Sequence, residues 1–137
     1  MPDSAIVLVG RVLLSILFLV SGLSGLADVG GGVGYFESLG LPAPLAVAWA
    51  TAIFETLAGL AVLVGFQTRI FAYLLALFCV AAGYLGHYGQ GGEDPLLTLM
   101  HTQSFMKDVG LAGAFLVLGT YGPGSYSIDG RRAVTAD

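Results

Sequence analysis

Four long apolar stretches constrain this chain more than any other feature of its sequence. They run over residues 5–27, 45–66, 70–88 and 104–121. A helix needs roughly 20 apolar residues to cross a bilayer core about 30 Å thick, so each stretch is of span length. The strands of a membrane barrel would alternate apolar and polar residues over segments of about 10, unlike these continuous runs. The sequence therefore predicts an all-α, multi-pass integral membrane protein whose surroundings are the lipid bilayer.

The scarcity of charge excludes other classes of protein. Of the 137 residues, 10% are charged and 56% are hydrophobic, and the net charge is −4. A soluble domain carries about 25% charged residues. A nucleic-acid partner is not expected, because binding one requires a basic face. The single cysteine, Cys79, permits no disulfide within the chain.

The charges between the apolar stretches predict the orientation of the chain. Arg11, Arg69, Arg131 and Arg132 fall on one side, and the acidic Asp28, Glu37, Glu93 and Asp94 fall in two long loops on the other. Cytoplasmic segments carry an excess of Lys and Arg, so both termini are expected in the cytoplasm. Residues 1–137 then form one membrane domain, of which 122–137 are a short polar tail. In the first long loop, apolar residues recur every three positions over 33–39, which leaves a short helix and an irregular loop as alternatives.

Small and polar residues recur at helical spacing in every apolar stretch. In the second stretch they are Ala48, Ala52, Glu55 and Gly59. Steps of three and four keep such residues on one face of a helix. Membrane helices associate through small residues and polar contacts, since lipid is as apolar as their large side chains. The pattern predicts a four-helix bundle whose polar residues share one interior.

Glu55 is the most informative candidate for a catalytic residue. It lies near the middle of its stretch, where a charge costs at least about 2.5–3.5 kcal/mol. It is therefore expected to be protonated, paired or beside water. One interpretation is a proton carrier, or an acid that holds a ligand headgroup. The other is a structural ion pair with Lys107 or Arg11, and both stay open.

Four further residues are candidates for ligand binding. Arg11 lies a turn or two inside the first helix, where its side chain is expected to reach the cytoplasmic headgroups. Lys107 and Asp108 lie near the outer end of the fourth helix, and either can meet Glu55 or His87. His87 and His101 flank an acidic loop, but their spacing matches no metal-ligand pattern. No metal is predicted, because solvated or capping histidines explain them more simply.

Several segments resemble the DoxX family of small four-helix membrane proteins, in the family's order. They are Arg11 followed by Ser21-Gly22, YFESLGLPAP (35–44), FETLAGLAVLVGFQTR (54–69) and FMKDVGLAGAFLVLGTYGPGSYSID (105–129). The resemblance covers nearly the whole chain. Two positions depart from it: Leu23-Ser24-Gly25 stands where relatives often have a Lys, and Asp108 where they often have Asn.

The resemblance implies a protein of the cytoplasmic, or inner, membrane of a prokaryote. Some relatives look like subunits of a thiosulfate:quinone oxidoreductase, and others are linked to oxidative-stress complexes with soluble redox partners. One hypothesis is therefore a membrane subunit of a quinone-linked oxidoreductase that draws electrons from a partner protein. The alternative is a non-catalytic scaffold, or assembly partner, for a redox enzyme. Whether the chain is itself an enzyme, and whether it forms a homo-oligomer, stays open at this stage.

Overall fold

The computed structural model describes residues 2–134, with side chains for residues 4–132. Its helices are α1 (Pro2–Ala27), α2 (Val29–Ser38), α3 (Pro44–Val64), α4 (Thr68–His87), α5 (Pro95–Tyr121) and α6 (Ile128–Val134). No strand occurs in this range, so the all-α prediction is confirmed there. Met1 and residues 135–137 of the expected tail lie outside the described residues.

Three described helices are long and apolar enough to cross a bilayer. They are Ser4–Ala27 within α1, with a mean hydropathy of 2.5, α3 with 1.9 and α4 with 1.8. Large apolar side chains on their surfaces stay exposed, such as Leu13 at 66% and Leu77 at 67%. Apolar patches of this extent are rare on soluble monomers and are matched by lipid. The fourth expected span, 104–121, lies within α5, and its crossing of the membrane stays a prediction.

Capping residues explain where α2 and α5 begin. Asp28 precedes α2 and accepts a hydrogen bond at 2.9 Å from the N–H of Gly31, so a helix occupies most of the first long loop. Asp94 precedes α5 and accepts from the N–H groups of Leu96 and Leu97, with Pro95 at the first helical position. Because α5 begins at Pro95, His101 lies inside a helix rather than in the loop where it was expected.

The chain divides into two compact units, of which the first comprises residues 1–68 and 123–137. Within this unit α1 packs against α3 at glycines. A Cβ atom on Gly22 would lie 2.6 Å from the backbone nitrogen of Thr56, and one on Gly25 would lie 3.0 Å from the Cβ of Ala52. Even the methyl group of an alanine would clash at Gly22, so this glycine lets the backbones of α1 and α3 approach each other.

The second unit comprises residues 69–122, which contain α5 and all of α4 after its first residue. These two helices also meet at glycines. A Cβ on Gly83 would lie 3.0 Å from the Cβ of Asp108, and one on Gly119 would lie 2.8 Å from the Tyr73 ring. The approach at Gly83 brings the end of α4 beside Asp108.

Candidate functional site

Arg11 is buried and holds the C-terminal segment against α1 and α3 within the first unit. Its side chain is 1% exposed. Nη1 donates to the carbonyl of Pro123 at 2.9 Å, and Nη2 donates to those of Leu63 and Tyr126 at 3.1 and 2.8 Å. The expectation that Arg11 extends to the headgroups is therefore wrong. Its planar guanidinium instead serves carbonyls at the end of α3 and in the tail, which have no helical partners of their own.

Asp129 anchors the same tail to the turn between α3 and α4. Its carboxylate accepts from the N–H of Gln67 at 3.0 Å, and from the N–H and hydroxyl of Thr68 at 2.8 and 2.9 Å. Partial burial raises the pKa of Asp129, but the hydrogen bonds from Thr68 and Gln67 and the charge of Arg132 outweigh it. The net result is a pKa below the usual range of an aspartate.

Glu55 lies where α1 and α3 approach each other. It is 9% exposed, and its Oε2 accepts a hydrogen bond at 2.9 Å from the hydroxyl of Ser21. Ser21 directly precedes Gly22, so the contact follows from the close approach at that glycine. Among the described residues, Arg11 is engaged by carbonyls and does not pair with Glu55, so that form of the ion-pair hypothesis is wrong. Pairing with Lys107 stays a prediction.

The second unit brings His87, His101 and Asp108 together. The two Nδ1 atoms lie 3.0 Å apart in a hydrogen bond, so one imidazole donates and the other accepts. On the far side of His87, Nε2 lies 3.8 Å from Oδ2 of Asp108. The side chains of His87 and Asp108 are 29% and 18% exposed. The prediction that Asp108 can meet His87 is confirmed. The interpretation of the two histidines as solvated or capping residues does not include their hydrogen bond to each other.

Lys107 lies on a different face of α5 from its neighbour Asp108. Its side chain is exposed and lines a shallow, open groove of about 250 Å³ with Met100, Gln103 and Ser104. These residues recur at three- and four-residue steps, which places them on one face of the helix. The position gives Lys107 access to ligands at the surface of the second unit.

These clusters offer different chemistry. A buried carboxyl group bonded to a hydroxyl can exchange a proton, whereas the guanidinium of Arg11 cannot. The histidine pair offers donors and acceptors that swap roles with the tautomer. Among the residues described, no group of three or more His, Cys, Asp or Glu side chains surrounds a common point.

The sequence did not identify two residues of these clusters, His101 and Asp129. The sequence favours a solvated or capping role for His101, and its helical position depends on the cap at Asp94. Asp129 was visible only as part of the Tyr-Ser-x-Asp ending shared with the DoxX family. Its role depends on a contact with Thr68, which lies 61 residues away in the chain.

Comparisons with known proteins agree with the resemblance. The sequence pattern of the DoxX family matches residues 6–88. The chain is 32% identical over 127 residues to the inner membrane protein YphA of Escherichia coli, covering 92% of this chain and 89% of that protein. It is 35% identical over 128 residues to the inner membrane protein YqjF of the same organism, with coverages of 90% and 88%. No solved structure gives a significant match.

Proposed function

Because this chain belongs to the DoxX family of inner-membrane proteins, we propose that it is the membrane subunit of a quinone-linked oxidoreductase. The proposal rests mainly on the burial of Glu55, whose carboxyl group lies between two apolar helices. Its hydrogen bond comes from the neutral hydroxyl of Ser21, and Arg11 is occupied elsewhere. Acids within membrane spans are expensive to place and are associated with proton and substrate pathways.

The proposal includes the topology of the chain. It places four helices across the membrane as a bundle, with both termini in the cytoplasm and residues 122–137 as a cytoplasmic tail. Two observations support the side assigned to the tail. The tail is fastened to the end of α3 through Arg11 and Asp129, and it carries Arg131 and Arg132, as the positive-inside rule requires of a cytoplasmic segment.

The donor set fits a quinone, whose headgroup presents two carbonyl oxygens. Lys107 supplies an exposed N–H donor, whereas the two ring nitrogens of His87 already face His101 and Asp108. Glu55 holds the headgroup through its carboxyl group and exchanges a proton with it, and Ser21 orients that carboxyl group. When bound, a quinone accepts two electrons and two protons. The electrons come from a partner protein with its own redox cofactor. The single cysteine of this chain cannot supply the four thiolates of an iron–sulfur cluster, and its two histidines bond to each other rather than facing each other across a haem.

The test is to purify the protein in mild detergent and measure the bound quinone by mass spectrometry. We expect quinone to co-purify with the wild-type chain and to fall severalfold in Glu55→Gln, which removes the exchangeable acid but keeps its shape. Glu37→Gln makes the same chemical change on an exposed side chain of α2 and should retain the quinone. Far-UV circular dichroism checks that both variants are folded.

Three outcomes separate the hypotheses. Quinone lost only from Glu55→Gln supports the proposal. Equal quinone content in the two variants refutes the role of Glu55. In the third outcome the protein binds no quinone, even when a short-chain analogue is added, and co-purifies with a second protein in a fixed ratio. That result would identify it as a scaffold rather than a redox subunit.

A further inference from the structure

His87 and His101 are the only histidines in the chain, yet the fold brings their rings together. They come from different helices, α4 and α5, and lie 14 residues apart in sequence. Their ring centroids are 5.3 Å apart and their planes are tilted by 44°. Neutral imidazole nitrogens are the commonest protein ligands of transition metals. We infer that this pair forms a binding site for a divalent transition metal, with Zn²⁺ as the representative ion.

The spacing of the two rings suits one tetrahedral ion. With a metal–nitrogen distance of about 2.0–2.1 Å, two ligating nitrogens lie about 3.4 Å apart and their ring centroids about 5.2 Å apart. The Nδ1 atoms are now 3.0 Å apart and the centroids 5.3 Å. The rings therefore need only to turn in place until both Nδ1 lone pairs converge, and the helix backbones can stay where they are.

Asp108 adds an outer contact of the kind that metal-ligating histidines have. A histidine ligand usually presents its other ring N–H to a carboxylate, which fixes its tautomer. Oδ2 of Asp108 lies 3.8 Å from Nε2 of His87. That charge favours a proton on Nε2 and leaves Nδ1 of His87 as an acceptor toward His101. On binding the ion, the Nδ1 proton with which His101 now bonds His87 passes through water to Nε2 of the same ring, so that the neutral imidazole presents Nδ1 to the metal.

The ligand set predicts which ions bind. Imidazole favours Cu²⁺, Ni²⁺ and Zn²⁺, whereas Mg²⁺ and Ca²⁺ require oxygen ligands. The described residues offer no third His, Cys, Asp or Glu at this point, so water completes the coordination. We expect micromolar rather than picomolar affinity for Zn²⁺, tighter binding of Cu²⁺, and no competition from Mg²⁺.

The experiment uses the full chain, purified without a polyhistidine tag and stripped of metal and quinone. Zn²⁺ is titrated in competition with a chromophoric chelator. One equivalent should bind, and His87→Phe or His101→Phe should weaken binding at least tenfold. Asp108→Asn should weaken it about tenfold, as loss of an outer contact does. Glu93→Gln, in the acidic loop between the helices, is the matched control and should leave the affinity unchanged.

Electron paramagnetic resonance of the Cu²⁺-loaded wild type tests the ligands without any variant. Superhyperfine structure from two nitrogens is expected. Coupling to one nitrogen or none overturns the inference, as does Zn²⁺ affinity that is the same in the wild type and both histidine variants. The inference does not rest on the proposed function, because all of these measurements are made in the absence of quinone.

Discussion

Replacing Arg11 by methionine removes the guanidinium while keeping an unbranched side chain that packs in an apolar helix. In the wild type that guanidinium makes three hydrogen bonds to carbonyl groups, at 2.8, 2.9 and 3.1 Å. The variant leaves the carbonyls of Leu63, Pro123 and Tyr126 without this donor. We therefore expect the tail to loosen at the end of α3, where Asp129 remains as its other attachment.

The magnitude follows from two opposing effects. Hydrogen bonds to a charged group contribute about 1.5–3 kcal/mol each, so three of them give about 4.5–9 kcal/mol. Burying the charge at 1% exposure costs several kcal/mol, which the variant recovers. Water also reaches part of the released tail. The expected net loss is about 2–4 kcal/mol in the free energy of unfolding, a large share of the 5–15 kcal/mol typical of a domain.

The assay is reversible unfolding in mixed micelles with increasing sodium dodecyl sulfate, followed by far-UV circular dichroism. Arg69→Met removes an exposed arginine by the same chemical change and serves as the control. Trypsin cleavage after Arg131 should also become faster in Arg11→Met. A loss below about 1 kcal/mol would show that these bonds do not hold the tail, because even one hydrogen bond to a charged group contributes about 1.5 kcal/mol or more. A loss equal to that of the control would show the same.

Two further perturbations test the tail and the helix interface. Asp129→Asn should cost about 1 kcal/mol at pH 7, as the loss of a helix cap does. Because the pKa of Asp129 is lowered on folding, its contribution is complete above the unfolded value of about 3.9 and is lost as the pH falls through the folded value. The difference in unfolding free energy between wild type and variant should therefore be constant from pH 7 to about pH 4 and shrink at lower pH. A difference that stays constant down to pH 2 would contradict the assignment. Gly22→Ala should destabilise by about 1–3 kcal/mol through overpacking, because its Cβ would meet the backbone of Thr56. Gly10→Ala, which has open space, should be neutral or stabilising, and equal losses in the same unfolding assay would refute the close approach.

The apolar pattern predicted much of the fold. The first three expected stretches, 5–27, 45–66 and 70–88, overlap α1, α3 and α4, because length and hydropathy along the chain determine which segments suit a bilayer. The start of α5 at Pro95 was missed by nine residues, since the helix begins at a polar cap and not where the apolar run begins. The helix α2 was one of two open alternatives for its loop.

The candidate site was less accessible to prediction. Glu55, His87 and Asp108 stood out because polar groups in apolar helices are costly. Their partners did not stand out, because helical spacing reveals the face on which a residue lies but not which helix covers that face. Asp108 had two candidate partners by sequence, and the close approach of α4 and α5 at Gly83 brings it to His87.

The sequence by itself determined that this chain is a helical inner-membrane protein of the DoxX family, because hydropathy and motif order are properties of the chain read locally. The tertiary structure alone decided what the polar groups do. The sequence predicts Arg11 at the membrane surface, whereas in the structure it is buried and donates hydrogen bonds to carbonyl groups of the C-terminal tail. His101 was expected in a loop, and its helix brings it onto His87. Each outcome depends on segments distant in sequence meeting at one point, because a buried donor or acceptor takes whichever partner the packing of the backbone brings within reach.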